Sequence, residues 1–327
     1  MTKAKLALED CYRVLTMPSA TKMFKLLEKV VPSLILLDIE MPEMDGFAAL
    51  EKLMQNKQTA KIPVIFLTAH TDAAIETRGF EMGVIDFIAK PFSEPVLLNR
   101  IACHLRIADL IIERTKHIER LQNGIVSVLA DMVESRDKVT GGHIERTTSY
   151  VKMLLTEIMS RGLYANEMRS WDLNVVISSA RLHDVGKITI SDLILNKPGE
   201  LTAEEFAIIK THAIEGEKII DKIIKQTEED VFLSHAKLFA GYHHERWDGL
   251  GYPHGLKGED IPLQGRIMAV ADVYDALTSE RPYKKAFTHE DSAKIIIENA
   301  GKQFDPKIVE VFYGIMDEFK AVSLCGR

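Results

Sequence analysis

Apolar positions follow two different rhythms along this chain, and the change of rhythm is its first organising feature. From about Tyr12 to Pro91, short β-branched apolar runs alternate with amphipathic stretches. SLILLDIE, IPVIFLTAH and VIDFIAKP read as buried strands, with DGFAALEKLMQN and TDAAIETRGFEMG as helices between them. That alternation predicts a parallel sheet with helices on both faces. From Pro95 to about Arg136 no strong breaker interrupts the pattern. Leu98, Ile101, Leu105, Ala108 and Ile112, then Ile118, Leu121, Ile125, Val128 and Met132, recur at three- and four-residue steps. This predicts a long helix or helical hairpin, able to pair with a second copy of the chain. Beyond residue 137 helical patterns run to the end, broken by glycine-bearing loops at Thr140–Gly142, Pro198–Gly199 and Asp248–Gly258. The expected order is an α/β domain over 1–94, a helical linker over 95–136 that could form a dimerisation coiled coil, and an all-α domain over 137–327.

Composition changes this picture little. A length of 327 residues suits two domains, and 46% hydrophobic with 27% charged residues is ordinary for globular protein. The formal charge of −7 argues against a nucleic-acid polymer as partner, while leaving room for a basic pocket that holds a small anion. Cys11, Cys103 and Cys325 are far apart with no C-x-x-C spacing, as expected of reduced thiols. No apolar run approaches the ~20 residues of a membrane span, and the first twenty residues lack a signal-peptide core. A cytoplasmic protein without a membrane partner is expected.

In the first domain Asp38 stands at the end of the first strong strand, Thr68 at the end of the next and Lys90 at the end of the third. In a doubly wound sheet such ends converge on one crevice, where a carboxylate, a hydroxyl and an ammonium suit a phosphorylated aspartate. LLDIEMPEMDG, FLTAH and FIAKPF resemble the receiver domain of bacterial response regulators, a flavodoxin-like fold. The resemblance implies Asp38 as phospho-acceptor, Thr68 and Lys90 as groups that sense the phosphoryl, Phe87 as the switch aromatic, and a sensor histidine kinase as partner. Receivers open with a strand whose end carries an acidic pair for Mg²⁺. Here the chain opens in what reads as the first helix, KAKLALEDCYRVL, and Glu9 and Asp10 precede the next expected strand, YRVLTM. Mg²⁺ would therefore find one carboxylate only, which counts against phosphorylation of Asp38 in this chain. Either the start lies upstream of Met1, or the receiver lacks its first strand and serves dimerisation.

The second domain concentrates metal-ligand chemistry. SSARLHDVGKI places His183 beside Asp184 at the end of a helical pattern, with Lys187 one turn on. His143 follows TGG, His212 lies in KTHAIEGE, His243 and His244 are adjacent in HHERWDGLGYP, and Asp272 sits in RIMAVADVYDAL. Five histidines and two aspartates make a nitrogen and oxygen set without thiolate, suited to Fe, Mn, Co, Ni or Zn. The set exceeds one tetrahedral ion and would serve two ions ~3.5–4 Å apart in phosphodiester hydrolysis. Glu245 or Asp248 could accept hydrogen bonds from the ligand histidines. Gly249 and Gly251 permit a tight backbone after His244, and Pro253 limits it.

From His143 to Lys285 the motifs RDKVTGGH, HDVGK, HHERWDGLGYP and RIMAVADVYDALTSERPYKKA resemble, in order, those of the HD-GYP family of phosphodiesterases. The resemblance implies an all-α HD-type, metal-dependent phosphohydrolase fold, cyclic di-GMP as substrate, and an iron or manganese pair that activates a bridging water for in-line attack. His183, Asp184 and Asp272 would hold one ion with His143 on that side; His212, His243 and His244 would hold the other, bridged by Asp184. Some members place a glutamate four residues before the first histidine for a third ion; Val139 stands there, so two ions are expected. Lys187, Arg281 and Lys284 are the candidates for phosphate contact. Two rivals stay open: a different cyclic dinucleotide as substrate, or a catalytically weak sensor or scaffold that recruits diguanylate cyclases through the GYP loop.

Overall fold

The computed structural model describes residues 2–56, 58–69, 72–136, 142–227, 230–280 and 285–325, and the chain divides into two compact units at residues 119/120. In the first, α1 (Thr2–Leu8) and α2 (Ala20–Leu27) precede β1 (Ile35–Asp38), α3 (Gly46–Gln55), β2 (Val64–Thr68), α4 (Ala73–Glu81) and β3 (Asp86–Ala89). The strands are parallel in the order β1-β2-β3. β2 is buried along its whole length, as an apolar run covered on both faces must be. Its alternate residues serve opposite layers: Val64 and Phe66 pack with Leu50, Leu53 and Phe87, while Ile65 and Leu67 pack with Leu8, Leu97 and Ile101. Asp45 caps α3 by accepting from Ala48 N at 2.7 Å. Gly46 is required beside it, because a Cβ there would lie 2.6 Å from Asp38 O.

The expected strand YRVLTM is absent: residues 12–17 adopt no regular structure, although Tyr12 and Val14 pack on the core. A strand needs a ladder partner. In the flavodoxin-like order 2-1-3-4-5 this segment would pair with a strand preceding it, and the residues preceding it here form α1.

α5 (Glu94–Glu134) is one continuous helix rather than a hairpin. The second unit adds α6 (His143–Ser160), α7 (Ala165–Met168), α8 (Leu173–Ser179), α9 (Asp192–Leu195), α10 (Ala203–Thr227), α11 (Val231–Tyr242), α12 (Leu263–Thr278), α13 (His289–Glu298) and α14 (Pro306–Cys325). Its core joins α6, α12 and α14 through Tyr150, Tyr274, Phe312 and Phe319, where Tyr150 stacks on Phe319 at 4.5 Å and the other rings meet edge to face or tilted. A smaller cluster seats Val126 of α5 against Leu182, Ile220, Phe232, Ala236 and Ala240. α10 starts from a capping box, Thr202 and Glu205 exchanging side-chain to backbone bonds of 3.2 and 2.8 Å. α11 starts from Asp230, which accepts from Phe232 N and Leu233 N. These two starts set the helices that carry His212 and deliver His243.

Candidate metal centre

Six of the seven proposed ligands reach the centre from four places in the fold. His143 opens α6, His212 lies within α10, His243 and His244 follow the end of α11, and His183 and Asp184 occupy the turn between two 3₁₀ segments, Ala180–Leu182 and Val185–Thr189. Asp272, the seventh, projects from α12 with Oδ1 3.7 Å from His143 Nε2. Ligand-capable atoms of His143, His183 and Asp184 lie within 4.8 Å of one another, as do those of His212, His243 and His244. Asp184 touches both groups: Oδ2 is 3.5 Å from His183 Nε2, and Oδ1 is 3.3 Å from His212 Nε2 and 3.7 Å from His243 Nε2.

The local backbone explains this convergence. The 3₁₀ geometry brings Lys187 onto Asp184, three residues earlier, at 2.8 Å; an α-helical reading of HDVGK pairs Lys187 with His183 instead. Gly186 permits α10 to lie against the turn, since a Cβ there would stand 1.9 Å from His212 O and 2.5 Å from Gly216 N. After His244 the chain folds back on itself. Gly249 has φ 85°, and a Cβ on Gly251 would be 2.3 Å from Arg246 N.

Hydrogen bonds fix which imidazole nitrogen faces inward. Nδ1 donates to Ala180 O in His183 (3.0 Å), to Ile209 O in His212 (2.7 Å), and to Phe239 O and Ala240 O in His243 (2.9 and 3.0 Å). In His143, Nδ1 donates to Asp275 Oδ2 at 2.8 Å. Each Nε2 is left to the centre, where His143 faces His183 and His212 faces His243, both at 3.3 Å. The neutral rings of His212 and His243 in these tautomers oppose lone pair to lone pair, an arrangement that a cation between them relieves. The donor set and its geometry fit divalent metal.

Charge agrees. Burial pushes the Asp184 carboxyl up, but Lys187 and the imidazoles of His183 and His212 outweigh it and hold the group well below the carboxylate range. Burial and the positive charge of neighbouring imidazoles lower His243 to about 3 and His244 well below its ordinary value; burial also lowers His212. These rings are neutral, as ligands must be. At His143 burial is opposed and overcome by Asp275, Asp272 and Asp184, so positive charge is favoured there.

The acceptors that orient the histidines differ from those expected. Glu245 is spent on the backbone N–H groups of His254, Gly255 and Leu256, and Asp248 on Arg246. Sequence reasoning missed Asp275, whose carboxylate also takes Arg146 Nε at 2.7 Å and Nη2 at 3.0 Å. The signal was present as spacing: His143 and Arg146 on α6, and Asp272 and Asp275 on α12, are each three residues apart and share a face. Glu134 and Arg136 were missed as well. Glu134 Oε1 accepts from His143 N at 2.8 Å, and Arg136 donates to Ile188 O and Ile190 O, both at 2.8 Å, and to Lys187 O at 3.4 Å. Tyr252 stacks on His244 at 4.8 Å, with Lys210 Nζ 5.3 Å from its ring. Arg281, Lys284 and Val139 lie outside the described residues.

In the first unit, Asp38, Thr68 and Lys90 meet at the carboxyl edge of the sheet. Lys90 Nζ is paired with Asp38 Oδ2, Lys90 N donates to Thr68 O at 2.7 Å, and Thr68 is buried. Phe87 is buried between Phe66 and Phe80 at ring separations of 5.5 and 5.1 Å. Glu9 pairs with Lys5 at 3.6 Å on the surface.

A helical unit that gathers histidines around a His-Asp turn and a sheet unit that aligns Asp, Thr and Lys define a receiver joined to a metal-dependent phosphohydrolase. The family model described as HD domain matches residues 127–308, and that described as response regulator receiver domain matches residues 1–102. The chain belongs to the HD domain family and carries an N-terminal receiver domain. It is 38% identical, over 93% of its length and 73% of the relative's, to a Vibrio cholerae protein named "Probable cyclic di-GMP phosphodiesterase". It is 35% identical, over 90% of its length and 78% of the relative's, to the cyclic di-GMP phosphodiesterase response regulator RpfG of Xanthomonas campestris. A third relative, the 3'3'-cGAMP-specific phosphodiesterase 2 of Vibrio cholerae, is 39% identical over 61% of this chain and 35% of its own. Among the described residues no helix is long and apolar enough to cross a membrane.

Proposed function

We propose that the helical unit hydrolyses cyclic di-GMP with a pair of divalent ions, as an HD-GYP phosphodiesterase. One observation carries the reading: the two oxygens of Asp184 are divided between His183 on one side and His212 and His243 on the other. In this reading His143, His183, Asp184 and Asp272 hold one ion, His212, His243 and His244 the other, and Asp184 is common to both. Iron or manganese suits the nitrogen and oxygen donors. Such a pair supplies Lewis acidity and an activated water when bound. The remaining tasks fall to the chain. Asp275 and the carbonyls of Ala180, Ile209, Phe239 and Ala240 hold the imidazoles in one tautomer. Lys187 sets a positive charge beside Asp184, where charge grows on the phosphate oxygens. Arg281 and Lys284 are assigned to the phosphates of the substrate.

The names of the two long relatives support cyclic di-GMP, and that of the third supports 3'3'-cGAMP as the alternative. Metal content and turnover of both dinucleotides by the purified chain test the proposal, with Asp184→Ala as control. Loss of metal and turnover together is expected. Unchanged turnover in Asp184→Ala defeats the two-ion reading, and indifference to cyclic di-GMP defeats the substrate. The receiver is proposed as the input from a histidine kinase, with Thr68, Phe87 and Lys90 as its switch residues. Asp38 is expected to stay unlabelled by acetyl phosphate, because Glu9 and Asp10 stand in a turn after α1 and not at a strand end, as the Mg²⁺ pair of a receiver does; labelling of this chain would reverse that.

A further inference from the structure

α5 carries an apolar stripe that neither unit uses. Reading from Ile107, positions at alternating steps of four and three residues run without interruption to Met132. Ile111, Ile118, Ile125 and Met132 fall at one heptad position, a; Ile107, Arg114, Leu121 and Val128 fall at the other, d. The seven apolar members are between 47% and 62% exposed. The buried residues among those described in α5 are Leu97 and Ile101, in the first unit, and Val126, Ala130 and Val133, in the second. None of these five belongs to the stripe.

We propose that two copies of this chain associate in parallel through residues 107–132 of α5, as a two-stranded coiled coil. Three observations select a second copy as the occupant. First, the repeat spans nearly four heptads, the length at which an a/d pattern signals a coiled coil, and a seam made of one sequence is complementary to itself. Second, isoleucine at three of four a positions with Leu121 at d matches the preference for parallel pairs, whereas the β-branched Ile107 and Val128 at d do not, so Arg114 decides between two strands and more. Arg114, at one d position, is long enough to snorkel out of a two-stranded seam and would be trapped in a wider bundle. Third, the area suffices. The seven side chains, already about half covered, offer on the order of 500–1,000 Å² of apolar surface across two copies. At an apolar share near 60% the contact is on the order of 1,000–1,600 Å², as a specific interface requires. The flanking e and g positions, such as Thr115, Gln122, His117 and Gly124, oppose no like charges.

Light scattering and sedimentation of the full chain are expected to give a mass about twice 36.8 kDa. Ile118→Asp combined with Ile125→Asp should raise the dimer dissociation constant at least 100-fold with an unchanged circular dichroism spectrum, because both side chains face solvent in the single chain. Ile111→Cys, in a chain whose native cysteines are replaced by serine, should form an intermolecular disulfide on oxidation. A monomeric parent chain, or a dimer indifferent to the aspartates, overturns the proposal. Cross-linking that needs Ile111→Cys and Val128→Cys together overturns the parallel arrangement. Arg114→Leu gives an independent reading, since it should tighten the dimer; weakening would contradict the assigned register.

Discussion

Replacing Gly186 by alanine adds one carbon and should dismantle the centre without touching a ligand. The new Cβ would stand 1.9 Å from His212 O, 2.5 Å from Gly216 N and 2.9 Å from Gly216 Cα. These are backbone atoms in the middle of α10, so no rotamer relieves the contact. Ordinary contact begins at 3.4 Å, and the shortfall from 1.9 Å obliges the Asp184–Lys187 turn and α10 to part by about 1.5 Å. Asp184 rides on the turn and His212 on the helix, and their present separation is 3.3 Å. Metal ligands tolerate about 0.2 Å, so the ion proposed at His212, His243 and His244 loses its shared carboxylate. The expected cost is about 1–3 kcal/mol of stability from overpacking and, at a misplacement exceeding 1 Å, a loss of turnover on the order of 100-fold. Thermal unfolding, metal content by mass spectrometry and phosphodiester turnover read the three effects separately. A variant that keeps full metal content and works within twofold of the parent would refute the argument that this contact sets the distance between the two ligand groups.

Asp275→Asn keeps an acceptor for His143 but removes the charge that holds Arg146; metal affinity, read by chelator competition, should fall about 10- to 100-fold. Mn²⁺ at a hundred times its dissociation constant should add about 2.7 kcal/mol, which raises the melting temperature of the helical unit by about 5–11 °C; an unmoved transition argues against a site in this unit. A chain begun at residue 137 loses Val126, Ala130 and Val133, all buried, the valines worth about 1.5–3 kcal/mol each and the alanine methyl about 0.8 kcal/mol. It should melt well below one begun at residue 120, and equal melting temperatures would remove α5 from the core of this unit.

Local pattern made much of this legible. The three strands, the helical run of α5 and the candidate ligand histidines all stand in runs whose period or motif can be read without the fold. What stayed hidden depends on distant backbone. Residues 12–17 have the composition of a strand, yet strand formation needs a partner that composition does not supply. Asp275 and Arg146 are separated by 129 positions, and the three-residue spacings to Asp272 and His143 mark one face on each helix without marking that the two faces meet. Glu245 and Asp248 were the acidic groups closest in sequence to a ligand pair, but their carboxylates close their own loop. On α5 the apolar positions were visible as one set, whereas the structure separates Ile101, buried in the first unit, from those left on the surface, such as Ile118 and Ile125.

The last turn of α5 is bonded directly to two segments that carry the centre. Glu134 is bonded to the backbone of His143, and two residues on Arg136 is bonded to three carbonyls of the segment that follows Asp184. A rotation of that turn by a few degrees is passed through these bonds to His143 and to the segment that carries Asp184, so torsion in one helix becomes a change in the spacing of the proposed ligands.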